Sequence, residues 1–475
     1  MKHPKLFKTS PLLAALLFAN SALAQEATPI ELDTVKVSAD FRELDLQQIP
    51  SAITVVGEND IQKRNADHLE SILSLAPNVN YSAGASRGRY FQIRGIGERS
   101  QFIDPVNPSV GLIIDGIDMT GLGGAATLFD IKQVEILRGP QGTAFGANAL
   151  AGAINIKSKQ PTKEAEGFIE IKAGNYNTQG TGYAISGPIT DNLQGRFSGN
   201  QTLSDGYMKN VHLDRNNTNN IDESTSRFQL SWQPNTDTDV HFSNFNSDIN
   251  NGYDAFSLDN TRTTYSDNPG KDIQDTSASL IKLISRANSS FDLELLSSQS
   301  DSDVIYAFDE DWAYDGIDPA GYNSIDEYIR DYKRSNIDLR LLSKPESRLF
   351  ANTTSWVIGA YSLNRDETLI RNYNSAAQFT SELKQSSTAL YTELSSNINT
   401  NTTLTYGLRI EDWKNQYVDS GNVNSDESEI LWGGKITLES LISQNHLTYV
   451  SIARGYKAGG VNSDPDVSQA NRTFD

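Results

Sequence analysis

The stretch Val134–Ile156, VEILRGPQGTAFGANALAGAINI, sets two strand-like apolar runs on either side of a glycine-rich crossing, with Glu135 and Arg138 at its entry. Glycines at 139, 142, 146 and 152 let the backbone turn sharply and approach a neighbouring surface where side chains would stand in the way. It is not a phosphate loop, because it lacks the lysine and the strand-to-helix context that would cradle a nucleotide.

Upstream of this stretch the pattern is mixed. Ile49–Val56 reads as a strand and Glu58–Arg64 as a short helix. Asp67–Ala76 reads as a second helix, with Leu69, Ile72, Leu73 and Ala76 on one face and Pro77 as its stop. Phe91–Ile96, Val110–Ile117, Gln133–Leu137 and Gly152–Ser158 are short extended runs. Together they make a small mixed α/β domain over residues 49–161.

Downstream, from residue 168, the period changes to two. Phe291, Leu293 and Leu295 alternate with Asp292 and Glu294, and Leu404, Tyr406, Leu408 and Ile410 with Thr405, Gly407, Arg409 and Glu411. Short turns at 187–192, 233–237, 286–290, 344–347 and 397–401 alternate with long polar stretches near 204–223, 250–275, 301–332, 365–385 and 415–429. That asymmetry predicts a large antiparallel transmembrane β-barrel over residues 168–475, with strands of about nine to twelve residues. A soluble sandwich is the alternative for alternating strands, but recurrent long loops and a secretory leader count against it.

The leader is Met1–Ala24: a lysine-bearing start, the apolar run PLLAALLFA, and small residues before Gln25. No later run is long and apolar enough for a spanning helix. A formal charge of −20 argues against a nucleic-acid partner, and zero cysteines exclude disulfides and thiolate metal sites. About 13 strands fit before Asn462, an odd number for a closed single-chain barrel. The expectation is an N-terminal part of a longer barrel.

A small mixed domain ahead of a many-stranded barrel, joined by the glycine-rich stretch, resembles the TonB-dependent outer-membrane receptors of siderophore type. FQIRGIG, GLIIDGI and VEILRGPQGTAFGANALAGAINI follow the family's order, with Phe145 where tyrosine and Ala153 where glycine is common. The resemblance implies a plug inside a barrel of about 22 strands. It identifies Leu32, Asp33, Thr34, Val35, Lys36, Val37 and Ser38, within the N-terminal segment 25–48, as a TonB box, an extended segment able to add a strand to a partner's sheet edge. It implies that Arg94, Glu135 and Arg138 hold plug to barrel wall, a salt bridge internal to the plug being the alternative. It further implies the TonB–ExbB–ExbD complex as energy-transducing partner, a ferric siderophore as ligand, and outer-membrane lipid and lipopolysaccharide as surroundings. Cobalamin, haem or an oligosaccharide stay open as substrates, and a passive porin is the nearest other transport reading.

Tyr81, Arg87, Arg89, Tyr90 and Phe102 are the candidate substrate contacts, since arginines and aromatics suit an anionic iron chelate. The acid- and aromatic-rich stretch 301–332 lacks the ordered spacing of a calcium loop and reads as a surface facing lipopolysaccharide. The dispersed histidines offer no metal pair, so neither metal nor cofactor is expected. No GxSxG elbow or phosphate loop supports an enzyme.

Overall fold

In the computed structural model, residues 35–37, 41–42, 44–83, 87–98, 108–374, 376–443, 446–462, 467–468 and 471–474 are described. The leader 1–24 lies outside them. The N-terminal body carries strands β1 (Ala52–Gly57), β2 (Val79–Ser82), β3 (Tyr90–Ile93), β4 (Val110–Ile114), β5 (Ile117–Asp118), β6 (Ile131–Arg138) and β7 (Gly152–Ser158). Its main sheet has the order β1–β6–β7–β4–β5, with β4 and β7 parallel and the other pairs antiparallel. The glycine-rich crossing therefore joins the antiparallel partners β6 and β7, and folds over them as the short helix α1 (Gly142–Phe145) and a further turn at Gly146–Ala149.

The helix expected over Asp67–Ala76 is instead two separate 3₁₀ turns, Leu69–Ser71 and Leu73–Leu75. The reason lies in the backbone bonds. Leu69 N donates to Ala126 O and Leu128 N to Asp67 O, so the segment's ladder is spent on a neighbouring loop. The apolar face survives the change: Leu69, Ile72, Leu73 and Ala76 are all buried.

Thirteen antiparallel strands in consecutive order form the second body. They are β8 (Glu166–Ala173), β9 (Gln179–Thr190), β10 (Leu193–Ser204), β11 (Ile221–Asn235), β12 (Thr238–Gly252), β13 (Lys271–Ser285), β14 (Phe291–Asp309), β15 (Ile325–Ser343), β16 (Thr354–Tyr373), β17 (Phe379–Asn397), β18 (Thr402–Asp419), β19 (Asn424–Ser443) and β20 (His446–Arg454). No helix among the described residues is long and apolar enough to cross a membrane.

The polarity of this sheet is inverted relative to a soluble sandwich. Outward positions carry Ile169, Ile185, Trp232, Ile281, Ile337, Ile358, Leu390, Ile410, Ile436 and Ile452, all exposed. Inward positions bury Arg196, Arg227, Gln274, Ser302, Arg334, Arg365, Gln385 and Arg409. An apolar outside and a polar inside suit a sheet whose surroundings are lipid. The wall wraps the first body: Lys172 on β8 and Lys457 just past β20 both pair with its carboxylates. Their shared core joins Leu112, Ile114 and Ile136 of the inner body to Phe245, Ala278, Leu280 and Val304 of the wall.

Strand length corrects the expected loops. Strands reach 20 residues in β16 and β19, a rise of about 66 Å and well beyond the ~25 Å apolar band of such barrels. The polar stretches at 365–385 and 415–429 are largely strand, leaving connections of only 374–378 and 420–423, and the connection expected at 301–332 shrinks to 310–324. Polarity on the outward face marks where a strand leaves lipid, not where it ends. On β18, outward Leu408 and Ile410 give way to outward Asp412 and Lys414 within the same strand.

Candidate functional site

Where the inner body meets the wall, ion pairs dominate. Arg87 makes a two-pronged contact to Glu223 on β11, Nε to Oε1 at 2.6 Å and Nη2 to Oε2 at 2.9 Å, and gives Nη1 to Glu70 at 2.8 Å. Arg89, buried, bonds Asp272 and, at 3.1 Å, the Gln274 side chain on β13. Wall arginines answer in the other direction. Arg196 on β10 forks onto Asp130, Nε to Oδ2 at 2.8 Å and Nη2 to Oδ1 at 2.5 Å. Arg227 on β11 pairs with Asp115 at 3.2 Å, and Arg334 on β15 donates to the Thr120 carbonyl at 2.7 Å. The forks of Arg87 and Arg196 are strong because two parallel charge-assisted bonds meet one carboxylate, and removing either partner strands a buried charge.

His68 lies fully buried behind the Arg87 cluster. Its Nε2 sits 2.9 Å from the Gly123 carbonyl, which only accepts, so Nε2 carries the proton and Nδ1, 3.7 Å from Glu70, is bare. Burial, reinforced by Arg87, holds the imidazole pKa below its ordinary value. Burial alone would raise the Glu70 carboxyl, but the Arg87 guanidinium and the Gly88 amide bring it below the usual range.

The residues read from sequence as a lock sit elsewhere. Glu135 is completely buried in the plug sheet; it accepts from Gln133 at 2.7 Å and Asn155 at 2.9 Å and pairs with Lys157 at 2.8 Å. Arg138 donates to the Pro77 carbonyl at 3.3 Å. Arg94 is exposed, in a left-handed conformation (φ 55°), with its guanidinium beside Gly139. These contacts are internal to the plug. The described ion pairs between plug and wall use Asp67, Arg87, Arg89, Glu98, Asp115, Asp118 and Asp130 on the plug side, and of these Arg87 and Arg89 are residues the sequence had suggested for substrate.

Two glycines of the crossing show why it lacks side chains. At Gly146 (φ 75°) a Cβ would stand 3.1 Å from Arg409 Nη2 and 3.4 Å from Glu411 Oε2 on β18; at Gly152 it would strike the Leu137 carbonyl at 2.2 Å. The turn thus lies against a buried wall cluster in which Arg409, Ser387 and Tyr456 all bond Glu411.

Val35, Lys36 and Val37 of the predicted partner-binding segment are described; Leu32, Asp33, Thr34 and Ser38 lie outside the described residues. Lys36–Val37 pair antiparallel with Leu44–Asp45, Gln133 donates to the Lys36 carbonyl at 2.8 Å, and Val37 is fully buried. Phe41 stacks on Tyr391 of β17 with centroids 4.8 Å apart, and Arg42 donates to Ser343 and the Trp356 carbonyl at 3.3 Å. Sequence reasoning did not single out Phe41, because a lone aromatic in a polar tail has no periodicity to mark it.

Of the other candidate substrate contacts, Tyr81 is 39% exposed and Tyr90 buried; Phe102 lies outside the described residues. Below the long loops an aromatic cluster of Tyr253, Tyr306 and Tyr328 packs at the upper wall, with Arg330 and Arg371 over the Tyr328 ring at 4.9 and 5.1 Å. Among the described residues no group of three or more His, Cys, Asp or Glu is placed to hold a metal ion.

Residues 45–153 match the family model described as the TonB-dependent Receptor Plug Domain. That match covers most of the inner body and none of the wall. A pesticin receptor of Yersinia enterocolitica is 24% identical over 96% of this chain and 67% of its own length. The ferric enterobactin receptor PirA of Pseudomonas aeruginosa is 28% identical over 50% of this chain and 37% of its own. Among solved structures, the ferric yersiniabactin uptake receptor FyuA of Yersinia pestis superposes with a TM-score of 0.76 at 21% identity, over 88% of this chain and 66% of that one. The chain thus spans about two thirds of the length of the pesticin and yersiniabactin receptors. The thirteen-stranded sheet sets the short turns and the tail at one rim and the long loops at the other.

Proposed function

We propose that the protein takes up a ferric siderophore across the outer membrane, driven by the TonB–ExbB–ExbD complex. What carries the reading is a folded plug, ion-paired into a polar-lined, lipid-facing wall, with a strand-forming tail at the short-turn rim. Substrate enters at the long-loop rim, where half-exposed Tyr81 on the plug and the Tyr328–Arg330 pair on the wall offer rings and a cation to an anionic chelate, while Arg87 and Arg89, spent on wall carboxylates, would reach it only as the plug's seat loosens. Leu32–Ser38 adds as a strand to the energising partner, which pulls. Interfaces made of ion pairs suit this task, because water entering the seam replaces each contact as it breaks. The relatives named for ferric enterobactin and ferric yersiniabactin support this substrate class.

The test is uptake of radiolabelled ferric siderophores by cells carrying the full-length protein, with and without an energised inner membrane. Accumulation that needs the partner and disappears on deletion of residues 32–38 is expected. Entry of cobalamin alone would move the substrate class, and uptake indifferent to the deletion would leave a passive pore.

A further inference from the structure

We propose that the plug parts from the wall first along β17–β19, beneath the glycine crossing, while it stays seated on β8–β13. The two arcs hold it by different chemistry. On β8–β13 the polar contacts are ion pairs: Lys172 to Asp67, Arg196 to Asp130, Glu223 to Arg87, Arg227 to Asp115 and Asp272 to Arg89. Phe245, Ala278 and Leu280 add an apolar core shared with the plug. Separation there strands several buried charges at once and uncovers large side chains. Against β17–β19 the plug presents residues 142–149, GTAFGANA, which carry no charge. Among the described residues no hydrogen bond or ion pair joins this stretch to the wall. The wall charges behind it are answered from the wall itself, Arg409 by Glu411 and Lys435 by Glu393. They keep those partners when the crossing leaves, so no charge is stranded. What is lost is contact by small groups, Ala147 in the cluster of Trp413 and Leu431 and Ala144 in that of Val357 and Tyr391.

The same seam buries polar atoms that the closed plug leaves unsatisfied. Arg409 Nη2, Gln385 Oε1 and Asn148 Oδ1 make no hydrogen bond, and the three residues line one space of about 20 Å³, room for a single water. Asn415, directly opposite Gln385 and fully buried, leaves both of its amide atoms unpartnered. Such groups gain partners when water enters, which favours opening here over the ion-paired arc. The partly exposed Lys457–Glu98 pair past β20 bounds the seam on one side, and Arg334 on β15, bonded to the Thr120 carbonyl, on the other. The tail reaches the foot of the seam. Phe41 stacks on Tyr391 of β17 and shares its cluster with Ala144, so withdrawing the tail uncovers the crossing before any fork is touched.

The chain has no cysteine, so a single introduced thiol reports each arc without background. Ala147→Cys reports the crossing, and Ala278→Cys on β13 the seated arc; both alanines are buried. The full-length protein in detergent is labelled with a maleimide at urea concentrations below its unfolding transition. Ala147→Cys is expected to react about ten-fold faster than Ala278→Cys and with a shallower dependence on urea, the mark of a local opening. Should either variant fail to fold, hydroxyl-radical footprinting of the unsubstituted protein reads the same order from buried Trp413 and Phe245, each referred to its rate in the unfolded chain, and Trp413 is expected to lose protection first. The proposal is overturned if the two cysteines react together with one urea dependence, if Ala278→Cys reacts first, or if Phe245 loses protection with or before Trp413. Neither measurement uses a substrate, so the order of opening stands or falls apart from the siderophore reading.

Discussion

Removing the Arg87 guanidinium leaves Glu70 and Glu223 facing one another with no cation between them. Arg87→Ala is therefore expected to destabilise the plug's seat by about 3–5 kcal/mol, the cost of stranding buried charge, measured as a lower denaturation midpoint of the purified protein. Arg87→Lys recovers only part, because one ammonium cannot reproduce a fork that serves two carboxylates. Acid acts on the same cluster. His68 is held neutral and Glu70 ionised in the folded protein, both with pKa values depressed. Their contribution is complete above the unfolded imidazole value of about 6.5 and is lost as pH falls, first through His68 and then, below the ordinary carboxylate range, through Glu70. Unfolding followed from pH 7.5 to 5 is expected to show falling stability, with a shallower slope in His68→Asn, whose amide stays neutral throughout. The sequence displayed these arginines and carboxylates but not their pairing, since Arg87 meets a partner 136 residues away and Arg89 one 183 residues away.

At the scale of the strand, register creates a feature invisible in any one segment. Asp248, Asp275, Asp303 and Asp331 are directly opposite one another across β12, β13, β14 and β15, all on the exposed outward face. Like charges opposite each other in a sheet repel, and here salt screens them. Asp303→Asn is expected to stabilise the sheet by about 0.2–1 kcal/mol at low ionic strength, with the gain fading in high salt, as read from paired thermal melts. The alternation of Leu404 through Ile410 made β18 legible from residue order alone, as did the runs that became β4, β6 and β7. What misled was polarity: outward Asp and Lys above the apolar band look like loop in sequence, yet their backbones stay in the ladder. The helical face of Leu69–Ala76 was likewise legible as buried, while its backbone path depended on Ala126 and Asp67.

For the molecule as a whole, the tail is tied to both bodies: Val37 to the plug through Ile49 and Leu137, Phe41 to the wall through Tyr391. Phe41→Ala removes a stacked ring and is expected to leave residues 35–45 more open to added protease by several-fold, with plug unfolding changed little. Equal cleavage in variant and parent would show that the ring does not hold the tail. By itself the sequence determined a glycine-hinged α/β plug followed by thirteen alternating strands, because period-two polarity and turn chemistry are local properties of the chain. Only the tertiary structure decided which charges join plug to wall, how far the strands run past the lipid, and where carboxylates crowd at the rim. Those depend on strand register and on residues more than a hundred positions apart, and no local pattern encodes either.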